Sequence, residues 1–172
     1  VGKVNMDRNA IPALQEGTEE AKRETLRWLE ECRDFRYVKP ILTPRFTPSC
    51  TDELMDFLGK LAAERDLPIQ SHLSENTGEI QWVRELHPDC RQYWETYAKF
   101  GLWNSRTLMA HCVWSDGRER AAMGDAGVTV VHCADSNQNI CSGTAPVRVM
   151  LNEGLKVALG SDIAGGDHLS MF

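Results

Sequence analysis

The stretch PSCTDELMDFLGKLAAERDLPIQSHLSE, residues 48–75, contains a helix, a strand and a polar strand exit in direct succession. Ser49 or Thr51 can cap the helix, and Asp52 and Glu53 fill its first turn. Leu54, Phe57, Leu58 and Leu61 recur at helical spacing and form one apolar stripe. LPIQSH then reads as a short buried strand. Two titratable residues, His72 and Glu75, stand at its end, three apart, where they can converge on one pocket.

The same unit recurs roughly every 30 residues, the length of one strand–crossover unit. The strands are expected in VGKVNM, YVKPILTP, LPIQSH, RTLMAHC, GVTVVHC and LKVALGSD. Helices are expected over residues 18–36, 48–66, 78–86, 89–100, 115–124 and 145–152, with a Ser/Asn/Gly loop before the last. Such alternation specifies a parallel sheet with helical crossovers. An open doubly wound sheet gathers its site at one switch point, whereas here polar residues stand at four or more strand ends. That favours a TIM-type (β/α)8 barrel. Such a barrel needs about 250 residues. The 172 present supply about six of eight units, so residues 1–172 read as one partial catalytic barrel domain.

Composition is that of a globular chain, 42% hydrophobic and 26% charged, with formal net charge −6. Basic residues form no stripe, so no nucleic-acid partner is expected. No apolar run nears the roughly 18 residues of a membrane span, and VGKVNMD has none of the regions of a signal peptide. Without an initiator Met, the sequence reads as an internal piece of a longer chain. The six cysteines show no C-x-x-C spacing and read as reduced thiols of a cytoplasmic protein, several of them core filler.

The strand-end residues carry the chemistry. A neutral imidazole at His72 suits a divalent metal and Glu75 can move protons; the other reading is a hydrogen-bonded strand-end His beside a capping acid. His111 ends TLMAH at the equivalent point of another unit, which strengthens the metal reading. His132 in VVHCADSN is either a third ligand or a pocket-lining hydrogen-bonder. Asp162, followed by Gly165 and Gly166, is either a metal-binding carboxylate that takes a proton from water or a helix cap. Arg45, between Pro44 and Pro48, is either a surface residue beside a core Phe46 or a donor to a carbonyl, with Phe46 covering a flat ring. His87 and His168 read as surface residues, and the tryptophans as core. No phosphate loop is present, because Gly166-Asp167 stands where Lys-Ser/Thr is required.

Together TPRFTPSC, IQSHLSEN, LMAHC, VVHCADSN and GSDIAGGDHLSMF resemble the guanine deaminase family of the amidohydrolase superfamily, in that family's order and spacing. The resemblance implies one zinc, with iron as an alternative, held by His72, His111 and Asp162. It implies Asp162 and Glu75 as catalytic residues, Asp162 activating water and Glu75 carrying the proton to a purine ring. Arg45, Phe46, His72, Glu75 and Asp162 would contact the substrate. The implied reaction is hydrolytic deamination of guanine to xanthine and ammonia in purine catabolism, by a cytoplasmic homodimer. The family's first-strand His-x-His pair, which supplies further ligands, is not found in these residues. Cys-Ala-Asp at 133–135 replaces the family's Cys-Pro-Asn, and Gly-Ser-Asp at 160–162 its Gly-Thr-Asp. Alternatives are an aminohydrolase for another purine or a triazine, and a non-catalytic degenerate fragment.

Overall fold

The computed structural model describes residues 1–170; Met171 and Phe172, which end the GSDIAGGDHLSMF segment, lie outside the described residues. In chain order the elements are β1 (Val4–Asn5), α1 (Thr18–Glu31), β2 (Thr43–Pro44), α2 (Asp52–Arg65), β3 (Ile69–Leu73), α3 (Thr77–Leu86) and α4 (Glu95–Ala98). Then follow β4 (Thr107–His111), α5 (Gly117–Ala126), β5 (Thr129–His132), α6 (Ala134–Asn139), α7 (Val147–Asn152) and β6 (Lys156–Leu159).

All strand pairing is parallel. β1 pairs with β2, β3 to β6 pair in sequence order, and a bridge between Leu42 and Ile69 joins the two sets. A doubly wound sheet reverses its strand order at a switch point. Here every neighbour is the next strand in the chain, which is the order of a barrel wall. β2 is short because Pro40 and Pro44 bring no N–H to the ladder.

Local signals set the helix ends. Thr51 Oγ1 accepts from Leu54 N at the start of α2, and Asp66, left-handed at φ 51°, ends it. Asn76 and Glu79 form a reciprocal capping box on α3. Asp116 accepts from the amides of Arg118 and Glu119 at α5, so that helix starts two residues later than its sequence predicts.

The core lies between the sheet and the helices. Ile69, Leu73, Met109 and Val130 from the strands pack against Leu54, Leu58, Tyr97, Met123 and Met150, all fully or almost fully buried. The alternate strand residues Gln70, His72, Leu108, Ala110 and Val131 are only half-buried and face the other way. Cys32, Cys50, Cys112 and Cys133 are buried, as core filler should be. Among the described residues no helix is long and apolar enough to cross a membrane.

Three sequence expectations need correction. The helix expected over 89–100 shrinks to Glu95–Ala98, because the Glu95 carboxylate accepts from the amides of Arg91 and Gln92 and folds that stretch into turns. The loop after β5 contains α6, whose polar side chains are held by buried hydrogen bonds rather than by an apolar stripe. His87 is not at the surface. It is 3% exposed, its Nδ1 is 3.8 Å from Asp52 Oδ1, and its Nε2 is buried with no partner.

Two features of this packing have measurable signs. Gly59 is buried in mid-α2, and a Cβ there would sit 1.7 Å from the Phe100 carbonyl oxygen. Gly→Ala in a free helix gains about 1 kcal/mol. At Gly59 the backbone must move, so Gly59→Ala should instead lower stability by about 1–3 kcal/mol in denaturant titration. The second feature is a pair of buried acids behind the β3 exit. Glu79 accepts from Tyr93 Oη and from the Glu75 amide, and Glu119 accepts from Ser74 Oγ at 2.7 Å. Burial raises both, and pushes Glu119 from 4.5 up to about 7. An acid raised in the folded state binds more protons there than when unfolded, so stability falls as pH rises between about 4.5 and 7. Glu119→Gln should flatten that slope. It should match the wild type near pH 4 and exceed it by roughly 2–3 kcal/mol near pH 8, read by urea unfolding at each pH.

Candidate active site

The site is built on the ladder between β3 and β4. Its register sets His72 opposite Ala110 and Leu73 opposite His111. Strand alternation would therefore leave His72 on the open face and put His111 with Leu73 on the helix-covered face. The backbone overrides this. His111 and Cys112 are left-handed, at φ 71° and 51°, and the turn brings the His111 ring to stack on His72 with centroids 5.1 Å apart and planes at 25°. Ser74, between His72 and Glu75 in the β3 exit, is also left-handed, and so are Asp162 and Ala164 after β6. Each such residue costs roughly 1–2 kcal/mol. Asn9, Asp66 and Cys141 are left-handed elsewhere in the chain, but the strand exits that bear His72, His111 and Asp162 each carry at least one such residue, and strain at titratable groups is a mark of functional sites.

Hydrogen bonds define both imidazoles. His72 Nδ1 lies 2.6 Å from the Arg45 carbonyl oxygen, which can only accept, so Nδ1 carries the proton. His111 Nδ1 lies 2.8 Å from Asn137 Oδ1 and is a donor for the same reason. A neutral ring with its proton on Nδ1 presents Nε2 as a lone-pair nitrogen. His111 is 1% exposed, yet its Nε2 has no hydrogen-bond partner, and Asp162 Oδ2 lies 4.0 Å from it. Burial, and next the neighbouring His111, hold the His72 imidazole below its ordinary range, which keeps it neutral.

Glu75 Oε1 is 3.7 Å from His111 Nδ1 and accepts from Ser142 Oγ at 2.9 Å. Asp162 Oδ2 accepts from Ser136 Oγ at 2.5 Å, while its carbonyl accepts from the amides of Gly165 and Gly166. His72, Glu75, His111 and Asp162, from three separate strand exits, are therefore brought together. Ser136, Asn137 and Ser142 were missed by sequence reasoning. The available signal for Ser136 and Asn137 was the polar run ADSNQN placed directly after a strand exit; Ser142 lies beyond it.

Arg45 and Phe46 flank the cluster. The Arg45 guanidinium lies 4.7 Å over the Phe46 ring, a cation–π contact, and Phe46 meets His72 and Trp82 edge-on at 6.4 and 6.0 Å. Among the described residues the guanidinium has no ion-pair partner. A cavity of about 220 Å³ runs from His72 and Asp162 past Gln70, Ala110 and Cys133, the inner side of the sheet. His132 does not join the cluster. It lines a different cavity with Asp135, Gly160 and His168, and its Nδ1 is buried without a partner. His168 is exposed, as its sequence position predicts. Among the described residues no group of three His, Cys, Asp or Glu side chains is arranged to hold a metal ion.

Comparison with known proteins gives this arrangement a lineage. The chain is 43% identical to the guanine deaminase of Dictyostelium discoideum, over 99% of this chain and 38% of that protein. Its backbone matches the crystal structure of the C. acetobutylicum guanine deaminase with bound guanine at a TM-score of 0.93 and 49% identity, over 96% of this chain and 40% of that one. The E. coli guanine deaminase structure matches at a TM-score of 0.91 and 31% identity, over 96% of this chain and 39% of that one. The chain thus spans about two-fifths of the length of the relatives it matches. The amidohydrolase family model matches residues 1–172, every residue of the sequence, and the chain belongs to the amidohydrolase family.

Proposed function

We propose that residues 1–172 form part of the catalytic barrel domain of a guanine deaminase, which hydrolyses guanine to xanthine and ammonia. The observation that carries the reading is the pair of imidazoles, each with Nδ1 tied to an oxygen acceptor and Nε2 free, stacked beside the Asp162 carboxylate. A buried imidazole nitrogen without a partner is costly unless something else is meant to meet it. Nδ1 donation to an oxygen is also the usual way a protein orients a metal-binding His.

The chemistry of the donor set suits a zinc ion, with His72, His111 and Asp162 as the residues that would hold it, although among the described residues no three such side chains are arranged around one metal position. They are three donors towards the four that zinc takes. Zinc bound there would lower the pKa of a water molecule to about 7 and so make a nucleophile available at neutral pH.

The chain's own groups do the rest. Asp162 is the base that receives the water's proton. Glu75 relays the water's other proton to the purine ring nitrogen while the amino-bearing carbon is attacked, and the proton received by Asp162 passes to the amino group. The carbon–nitrogen bond then breaks, and the amino group leaves as ammonia once it has taken up the second proton. Water's oxygen ends in xanthine and its two hydrogens are accounted for between the ring and the amine. Arg45 donates to the ring carbonyl of guanine, and Phe46, already stacked on that guanidinium, covers the ring face. The similarity to a structure holding guanine supports guanine over other purines or triazines. A cytoplasmic location and a homodimer belong to the same proposal and rest on the resemblance alone.

The test is turnover of guanine followed in the ultraviolet, using the complete protein that carries this chain, beside a panel of adenine-type and triazine substrates. Guanine should be fastest, and a faster triazine or adenosine would overturn the substrate. Glu75→Gln should cut kcat by roughly 100- to 10,000-fold, the usual share of a proton-transfer group, with zinc content by mass spectrometry unchanged. His111→Ala should lose zinc as well as activity. A Glu75→Gln protein with normal turnover would remove Glu75 from the mechanism.

A further inference from the structure

Glu75 presents a problem that the proposed reaction does not solve. A glutamate has three side-chain torsions, and a proton carrier must hold one oxygen still while it offers the other to substrate. The structure assigns this restraint to Ser142, which we propose as the positioning residue of the Glu75 carboxylate. The inference rests on the reading of Glu75 as the proton carrier.

Ser142 Oγ donates to Glu75 Oε1 at 2.9 Å, across 67 residues of sequence. The other neighbour of Oε1, His111 Nδ1, is 3.7 Å away and has its proton committed to Asn137. Ser142 is therefore the group that restrains this oxygen, and Oε2 has no protein partner among the described residues. The backbone of Glu75 is fixed separately, by the Glu79 carboxylate on its amide. So the Ser142 hydroxyl governs the side chain, not the turn that carries it.

Ser142 is itself held at every other polar group. Its amide donates to the Asn137 carbonyl at 2.8 Å, and its carbonyl accepts from the Trp114 indole Nε1 at 2.9 Å. The residue is 5% exposed. Next to it Gly143, at φ 122°, lies so close to the loop after β4 that a Cβ would meet Val113 Cγ1 at 3.1 Å. Trp114 is half-exposed, so its indole serves as a clasp on the loop more than as core packing. With amide and carbonyl both engaged, the hydroxyl is the one group of Ser142 left to act, and it is spent on Glu75. Hydrogen bonds to charged groups are the stronger ones, and the low exposure of this one preserves its strength.

The test compares Ser142→Ala with Ser142→Thr in the complete protein. Ser142→Ala should lower kcat for guanine roughly ten- to hundredfold, as expected for one hydrogen bond to a charged group, with KM changed by about twofold or less. Ser142→Thr keeps the hydroxyl and should retain most of the activity. A Ser142→Ala protein as fast as wild type, a change in KM alone, or equal losses in both variants would overturn the positioning role. An inactive wild type would instead count against the deaminase reading, and shows separately in the same series. Crystal structures answer independently of turnover. The Glu75 side chain should leave its position or spread over several rotamers in Ser142→Ala and stay in place in Ser142→Thr. A single unmoved Glu75 in Ser142→Ala would refute the inference.

Discussion

The β3–β4 ladder is the constraint on which the rest of this site depends. A parallel pair with every residue in register from Ile69–Thr107 to Leu73–His111 fixes two strand exits side by side. It also fixes the wrong face for His111. The correction costs two consecutive left-handed residues, His111 and Cys112, and cannot be made without a rigid strand beneath it. The ladder and the buried core under Ile69, Leu73 and Met109 supply that rigidity. Neither His72 nor His111 would define a site alone; the stacked pair does.

Once the imidazoles are adjacent, their chemistry is set from outside the ladder. Both Nδ1 nitrogens face oxygens that can only accept, one a backbone carbonyl after β2 and the other the Asn137 side chain on α6. The two acidic groups are treated alike: Ser136 donates to Asp162, and Ser142 to Glu75. The segment from Ser136 to Ser142 therefore touches three of the four clustered residues. α6 has few apolar residues to anchor it, and these hydrogen bonds are much of what keeps it in place. Site and support stabilise each other, which is how a short polar helix can persist beside a buried cluster.

The fold was legible because it is written in period and order. Six apolar runs, alternating with helical stretches, gave six strands in sequence order, and of the two cap candidates for α2, Ser49 and Thr51, it is Thr51 that caps. Of the site, the strand-end residues His72, Glu75, His111 and Asp162 were legible for the same reason, since strand ends are where a barrel keeps its chemistry. What the sequence hid is long-range or conformational. Nothing in TLMAHC announces that His111 is left-handed. ADSNQN has the composition of a loop, and only the partners of Ser136 and Asn137, Asp162 and His111, each 26 residues away, make it a helix. His87 looked like a surface residue beside a proline, yet it is buried, with Asp52 at the start of α2 beside its ring. Hydrogen-bond partners at such separations leave no trace in local periodicity.

Arg45 shows how one residue can serve two parts of the site without coupling them. Its carbonyl oxygen fixes the His72 tautomer, while its guanidinium lies on Phe46 at the mouth of the cluster. The first role belongs to the backbone and is indifferent to the side chain. The backbone there is restrained by Pro44 before it, by the Arg45 amide bonded to the Asn5 carbonyl, and by Ser71 Oγ donating to the Pro44 and Arg45 carbonyls. The guanidinium can therefore move without disturbing the histidine. That separation divides the site physically into a fixed half, built from ladder, carbonyls and α6, and an adaptable half, built from side chains on the loop after β2. In the proposed reading, proton transfer falls to the first half and recognition of the ring to the second.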